Sequence, residues 1–195
     1  MTTAEDSLTT GQAARRQRVL LAALELGSAG GYDAVQMRDI ATSAGVALGT
    51  IYRYFASKDA LLAAAMVEWM EDLERRVGTR APRGDTTAAR VYDVLRRAVA
   101  TMERQPKLAE AVITALTSDD REAGAASIAT TDVMQRVMLR AFPDGTDPAT
   151  EAAIAKVLGH VWFSCLVAWS NGVGDLTWVG EELETACHLL CDHLG

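Results

Sequence analysis

Apolar side chains recur at intervals of three and four along almost the whole of this chain, and the alternation of a half-buried strand is nearly absent. A chain patterned in this way packs amphipathic helices and builds no sheet. The fold class is therefore all-α, with about nine helices. The first runs from about Thr10 to Ala29, where Val19, Leu20, Ala23, Leu24 and Leu26 form an apolar face and Gly30-Gly31 ends it. Short helices follow at Gln36–Ala44 and Leu48–Phe55. A long fourth helix, capped by Ser57, has Asp59 in its positive first turn and reaches about Arg76. The stretch Arg80-Ala-Pro-Arg-Gly-Asp85 breaks the pattern and reads as a linker and functional joint. Beyond it, helices are expected over 86–104, 106–117, 119–141, 148–171 and 178–194.

The formal net charge of −7 looks unfavourable for a nucleic-acid binder, but it is unevenly spread. Residues 12–58 carry six basic side chains (Arg15, Arg16, Arg18, Arg38, Arg53, Lys58) against three acidic ones, a local balance of +3. The rest of the chain, from 59 on, has thirteen basic and twenty-one acidic residues, a balance of −8. That asymmetry suits a basic head, able to neutralise phosphates, joined to an acidic body. The opening residues are polar and Thr-rich, without the cationic start and apolar stretch of a secretion leader, and no run of eighteen apolar residues occurs. Three cysteines, Cys165, Cys187 and Cys191, fall in apolar helical patterns and read as reduced, packed thiols. A cytoplasmic protein without a membrane partner is expected.

The short helices carry the functional signal. A helix-turn-helix needs a small residue inside its first helix, a turn residue that tolerates positive φ, and a branched apolar residue in the second helix. Ala41, Gly45 and Ile51 stand at that spacing. An ordinary helix-loop-helix shares the spacing, so the composition of the second helix has to separate the two. Ala47-Leu-Gly-Thr-Ile-Tyr-Arg-Tyr-Phe55 puts tyrosines, a threonine and an arginine beside a glycine on the outer side, which suits a surface laid against DNA. Gly49 permits close approach to the duplex, and Thr50 offers a hydroxyl and a methyl. Tyr52 can pack on a sugar or a thymine methyl, and Tyr54 can donate to a phosphate. Lys58 adds charge to the free N–H groups of the next helix. Arg38 can read guanine with paired hydrogen bonds, or instead pair with Asp39 or Asp33; Gln36 serves as a phosphate contact or a cap. Leu48 and Arg53 complete the candidate surface.

The stretches Gly30-Gly-Tyr-Asp-Ala-Val-Gln-Met-Arg-Asp-Ile-Ala41 and Ala44-Gly-Val-Ala-Leu-Gly-Thr-Ile-Tyr-Arg-Tyr-Phe-Ala-Ser-Lys-Asp-Ala-Leu-Leu62 strongly resemble the TetR family of transcriptional regulators, over about residues 12–72. The resemblance implies a DNA-binding head at 10–58 and a ligand-binding and dimerisation domain at 59–195. It further implies a homodimer on a palindromic double-stranded operator, with Thr50, Tyr52 and Tyr54 facing the operator and Lys58 a phosphate. One departure stands out. The family usually has Thr or Ser before the second helix, whereas this chain has Val35-Gln36 and so lacks a capping hydroxyl. The motif wording is most similar to the family's repressors of steroid breakdown in actinobacteria, which implies a steroid-like or acyl-CoA-like hydrophobic effector.

Helix 148–171 has few polar positions around its circumference, so one face packs inward and another needs a partner. In the family this helix and the last one form an intersubunit four-helix bundle. Met66, Trp69, Met70, Met102, Met134, Met138, Trp162, Phe163 and Trp169 are together candidates for an adaptable apolar effector pocket, although Met and Trp at helical spacing are usually core. Arg96, Arg97 and Arg104 could meet an acidic headgroup or lie on solvated faces. His160, with Lys156 and Ser164, lines a pocket or sits at the surface. Cys187, His188, Cys191 and His193 invite a metal reading, but the two thiols share the apolar stripe of Leu183 and Leu194 and His188 does not, so no metal is expected. No cofactor is called for, and no catalytic motif occurs, so the chain is expected not to be an enzyme. The competing class is a helical carrier of a metal or small molecule without DNA binding, in which Tyr52, Tyr54 and Lys58 would be buried.

Overall fold

The structure, a computed structural model, describes residues 9–194. The polar opening therefore lies mostly outside the described residues. Among those described, nine α-helices and no strand occur: α1 Thr10–Gly30, α2 Met37–Ala44, α3 Leu48–Tyr54, α4 Lys58–Gly78, α5 Thr87–Arg104, α6 Pro106–Leu116, α7 Arg121–Leu139, α8 Pro148–Ser170 and α9 Leu176–Cys191. A single 3-10 turn, Asp192–Leu194, follows α9.

Local chemistry sets most of these boundaries. Thr9 and Gln12 form a capping box at the start of α1, each side chain meeting the other's backbone N–H. Asp147 caps α8 ahead of Pro148 at the first helical position. The last helix starts before the expected Trp178, because Asp175 accepts from the Trp178 N–H and draws Leu176 into the helix, where it is buried. Its end also falls earlier, at Cys191, with the 3-10 turn covering 192–194.

The chain forms two compact units. One runs through Ala65 and includes Lys107–Ala126; the other comprises Met66–Pro106 and the residues from Ser127 on. In the first, Leu20, Val35, Ile40, Ile51, Phe55, Leu61 and Leu62 make one buried core with Ala115 of α6. In the second, α9 packs on α5 and on α8. Glu74 of α4 holds Arg136 of α7 and Arg140 just beyond the end of that helix, and these contacts, with the Arg136 hydrogen bond foremost, lower its pKa. The linker is strapped onto α5: Arg97 donates to the carbonyls of Arg80 and Ala81 and pairs with Asp93, which also accepts from the Arg83 N–H. Gly84 makes that passage possible. Its φ is 137°, and a Cβ there would lie 2.6 Å from the Ala89 Cβ.

By length and composition α8 is the one described helix apolar enough to cross a membrane. Yet Ile154, Leu158, Trp162, Cys165 and Leu166 are buried within its own unit, which marks a core-facing side. On other sides Val157 remains exposed, as does Leu189 of α9.

Candidate nucleic-acid interface

The turn between α2 and α3 is built around Gly45, whose φ of 62° and ψ of 44° lie in the left-handed region. Val46 N–H reaches back to the Ala41 carbonyl (3.0 Å) and Gly45 N–H to that of Thr42 (3.3 Å), which closes the end of α2. The Nε of Arg18, from α1, satisfies the Ala44 carbonyl at 3.1 Å. Ala41 and Ile51 are both buried, so the three positions singled out by spacing meet as a helix-turn-helix requires.

This geometry divides α3 into two sides. Ile51, with Phe55 just beyond the helix end, is buried in the head core, with Leu48 and Tyr54 packed partly against it. Gly49, Tyr52 and Arg53 are exposed and Thr50 half-exposed, on the side that the three-four spacing brings together. Tyr52 is 52% exposed, unusual for a tyrosine on a helix with an apolar core behind it. Arg38 and Gln36 are exposed at the start of α2, and no described residue forms an ion pair with Arg38. The Asp39 and Asp33 pairings considered from sequence are therefore not formed. Gln36 occupies the N-cap position of α2 but makes no capping bond; its amide donates to the Asp33 carbonyl at 2.9 Å. The missing hydroxyl thus has no replacement.

Two candidates are more enclosed. Tyr54 is half-buried, its hydroxyl covered and without a hydrogen-bond partner among the described residues, and the Arg53 guanidinium lies 5.3 Å from its ring centre. The ammonium of Lys58 sits 3.5 Å from the Tyr32 ring centre and donates to the Tyr32 carbonyl at 3.2 Å. The Tyr32 hydroxyl in turn donates to Asp59 at 2.5 Å. Burial, followed by this bond and the charge of Asp59, pushes the Tyr32 phenol up to about 12. Arg15, exposed on α1, and Arg16, whose guanidinium lies 5.5 Å from the Phe55 ring centre, also carry charge on the head. In the sequence only their charge distinguishes them, because no local motif marks α1 as part of such a surface.

The candidate pocket residues scatter. Trp69, Met70 and Met102 line a small apolar cavity with Leu73, Ala98 and Thr101, three residues that a search for Met and aromatic side chains passes over. Met66, Met134, Met138 and Trp162 are buried, and Phe163 and Trp169 half-buried, outside that lining. Lys156, His160 and Ser164 are all exposed. Cys187 and Cys191 are fully buried, and burial first of all pushes their thiols up to about 12 and about 11. His188 is exposed and meets Asp192 instead.

A left-handed glycine turn between two short helices, with the second presenting polar and aromatic groups outward, defines a DNA-binding helix-turn-helix regulator. The sequence pattern of bacterial regulatory proteins of the tetR family matches residues 19–65, and that of the tetracyclin repressor-like C-terminal domain matches 84–190. The chain is 38% identical over 190 residues to the HTH-type transcriptional repressor KstR of Rhodococcus jostii (strain RHA1), covering 97% of this chain and 89% of that protein. With KstR of Mycobacterium tuberculosis (strain ATCC 25618 / H37Rv) the identity is 34%, over 92% of this chain and 81% of that one. Among solved structures it is similar to a TetR transcriptional regulator from Rhodococcus sp. RHA1, with a TM-score of 0.77 at 30% identity, covering 92% and 97% of the two chains. It also shares its fold with Thermus thermophilus FadR, a TetR-family repressor solved in complex with lauroyl-CoA, with a TM-score of 0.68 at 23% identity, covering 90% and 92%. The chain belongs to the TetR family of transcriptional regulators. That assignment favours the regulator over a carrier without DNA binding.

Proposed function

We propose that this protein is a cytoplasmic repressor that binds a palindromic operator as a homodimer and is released by a hydrophobic effector. The observation that carries the reading is the division of α3, with Ile51 and nearby Phe55 buried while Gly49, Tyr52 and Arg53 are exposed, as is the unpaired Arg38 at the start of α2. In this reading Arg38, Thr50 and Tyr52 meet bases. Gln36, Tyr54 and Lys58 meet phosphates, and Leu48, Gly49 and Arg53 complete the contact surface of a head at 10–58. The Tyr54 hydroxyl is covered in the free chain, so its phosphate contact requires the side chain to turn outward on docking. Repression is supported by the named activity of the KstR relatives. Dimerisation is supported by Val157 (44% exposed) on α8 and Leu189 (80% exposed) on α9, apolar groups that a second copy would cover.

The effector site of the 59–195 domain centres on the cavity lined by Trp69, Met70, Leu73, Ala98, Thr101 and Met102. Its empty space, about 180 Å³ including the open mouth, is less than a steroid skeleton or long acyl chain needs. Met70 and Met102 are unbranched and can repack to enlarge it. Binding then favours the enlarged state, and it acts on DNA affinity only as far as the effector prefers that state over the operator-bound one. The test is gel retardation of DNA from upstream of the chain's own gene, with steroids, fatty acids and acyl-CoAs added in turn. Retardation relieved by an apolar compound supports the reading. A chain that never retards that DNA refutes it.

A further inference from the structure

Ser57 and Asp120 stand sixty-three positions apart in sequence yet share one short hydrogen bond, Ser57 Oγ donating to Asp120 Oδ2 at 2.6 Å. Each also caps a helix. Ser57 Oγ accepts from the Ala60 N–H at 2.9 Å, at the start of α4. Asp120 Oδ1 accepts from the N–H groups of Glu122 (2.8 Å) and Ala123 (3.0 Å), at the start of α7. The two carboxylate oxygens are thus divided, one for its own helix and one for Ser57. The bond to Ser57 is the first cause of the lowered Asp120 pKa, so the hydroxyl sees a full anionic acceptor.

Ser57 lies at the corner where α3 passes into α4, between Phe55 in the head core and Lys58 against Tyr32. A serine that only capped α4 would be free to rotate its hydroxyl proton to solvent; here both the lone-pair side and the proton are committed. Both ends of the bond belong to the same compact unit, which includes Lys107–Ala126, and Lys107 likewise reaches back to the Ala29 carbonyl at 3.2 Å. α7 itself runs on to Leu139.

We propose that Asp120 is a positioning residue for operator binding. Through Ser57 it fixes the α3–α4 corner that sets Tyr52, Tyr54 and Lys58, and a change in the first turn of α7 reaches the recognition helix through this bond. The inference rests on the DNA-binding reading above. It also makes a prediction opposite in sign to simple electrostatics. Asp120→Asn removes a negative charge from the head, which on charge alone tightens DNA binding. It preserves the α7 cap, since asparagine caps as well as aspartate. It loses the anionic acceptor for Ser57, which is expected to weaken operator binding by roughly tenfold.

The experiment uses the full chain and a duplex enriched from random-sequence DNA by the wild-type protein. Affinity, its salt dependence and far-UV circular dichroism are measured for wild type, Asp120→Asn, Ser57→Ala and the double variant, and amide exchange is followed at Ala60 and Leu61. The expected result is weaker binding by Asp120→Asn with helix content and salt slope unchanged, faster exchange at Ala60 and Leu61, and a double variant no weaker than Ser57→Ala. The proposal is overturned if Asp120→Asn binds as wild type or tighter, or if the two losses simply add. A wild-type chain that enriches no sequence overturns the DNA-binding reading itself, a result distinct from variants that bind alike.

Discussion

α3 and α8 both leave part of their surface uncovered, but they divide apolar and polar groups differently. The recognition helix exposes a glycine, a tyrosine and an arginine and buries Ile51. On α8, Ile154, Leu158 and Trp162 are buried while Val157 stays at the surface between Lys156 and His160. A hydrogen-bonding, aromatic face gains most from a polyanion with base edges, whereas a mainly apolar helix gains most from another apolar helix. The difference fits the proposed division of labour, with one end of the sequence on DNA and the other against a second copy.

The largest expected effect breaks the α8 side of the comparison. Replacing Val157 and Leu189 together by Glu puts unpaired charges into the expected dimer face and should weaken association by roughly two orders of magnitude. Sedimentation velocity checks this, with monomer prevailing in the variant and dimer in the wild type. Of similar size, Ile51→Ala removes a fully buried side chain from the head and should lower stability to chemical denaturation by about 3 kcal/mol. Gly45→Ala should cost about 1 kcal/mol by thermal melting, because the new methyl meets open space and only the left-handed backbone objects.

The smallest effect lies with Glu74, whose carboxyl Arg136 and Arg140 hold below its ordinary value. A depressed carboxyl stabilises the fold above its unfolded pKa, and that contribution is lost as pH falls through the folded one. Glu74→Gln should therefore flatten the acid side of a stability-versus-pH curve from about pH 4.5 downward, by under about 1 kcal/mol given the exposed arginines.

Features written into neighbouring residues were legible in the sequence. Periodicity located the helices, and the Ala41, Gly45 and Ile51 spacing located the turn, because each of these signals acts over fewer than a dozen positions. The α4 cap at Ser57 was visible for the same reason. α9 starts at Leu176, two residues before the Trp178 expected from periodicity, because the cap at Asp175 sets the first turn. Contacts between distant segments left no such mark. Nothing near Lys58 announces that Tyr32 will hold its ammonium, and nothing near Ser57 points to Asp120. The cavity was half legible: Trp69, Met70 and Met102 stand out by type, but Leu73, Ala98 and Thr101 line it only because of how α4 and α5 pack. Likewise nothing near Ala115 announces that α6 joins the first compact unit and lends that residue to its core.

DNA reading by the exposed side of α3, together with Arg38, underlies every proposal above. Its most direct test is the affinity of the full chain for its upstream DNA over a range of salt, in wild type, Tyr52→Ala and Arg38→Ala. Both variants should fold as wild type and bind that DNA roughly tenfold or more weakly, with Arg38→Ala also discriminating less against altered sequences. Wild-type affinity and selectivity in both variants would contradict the account.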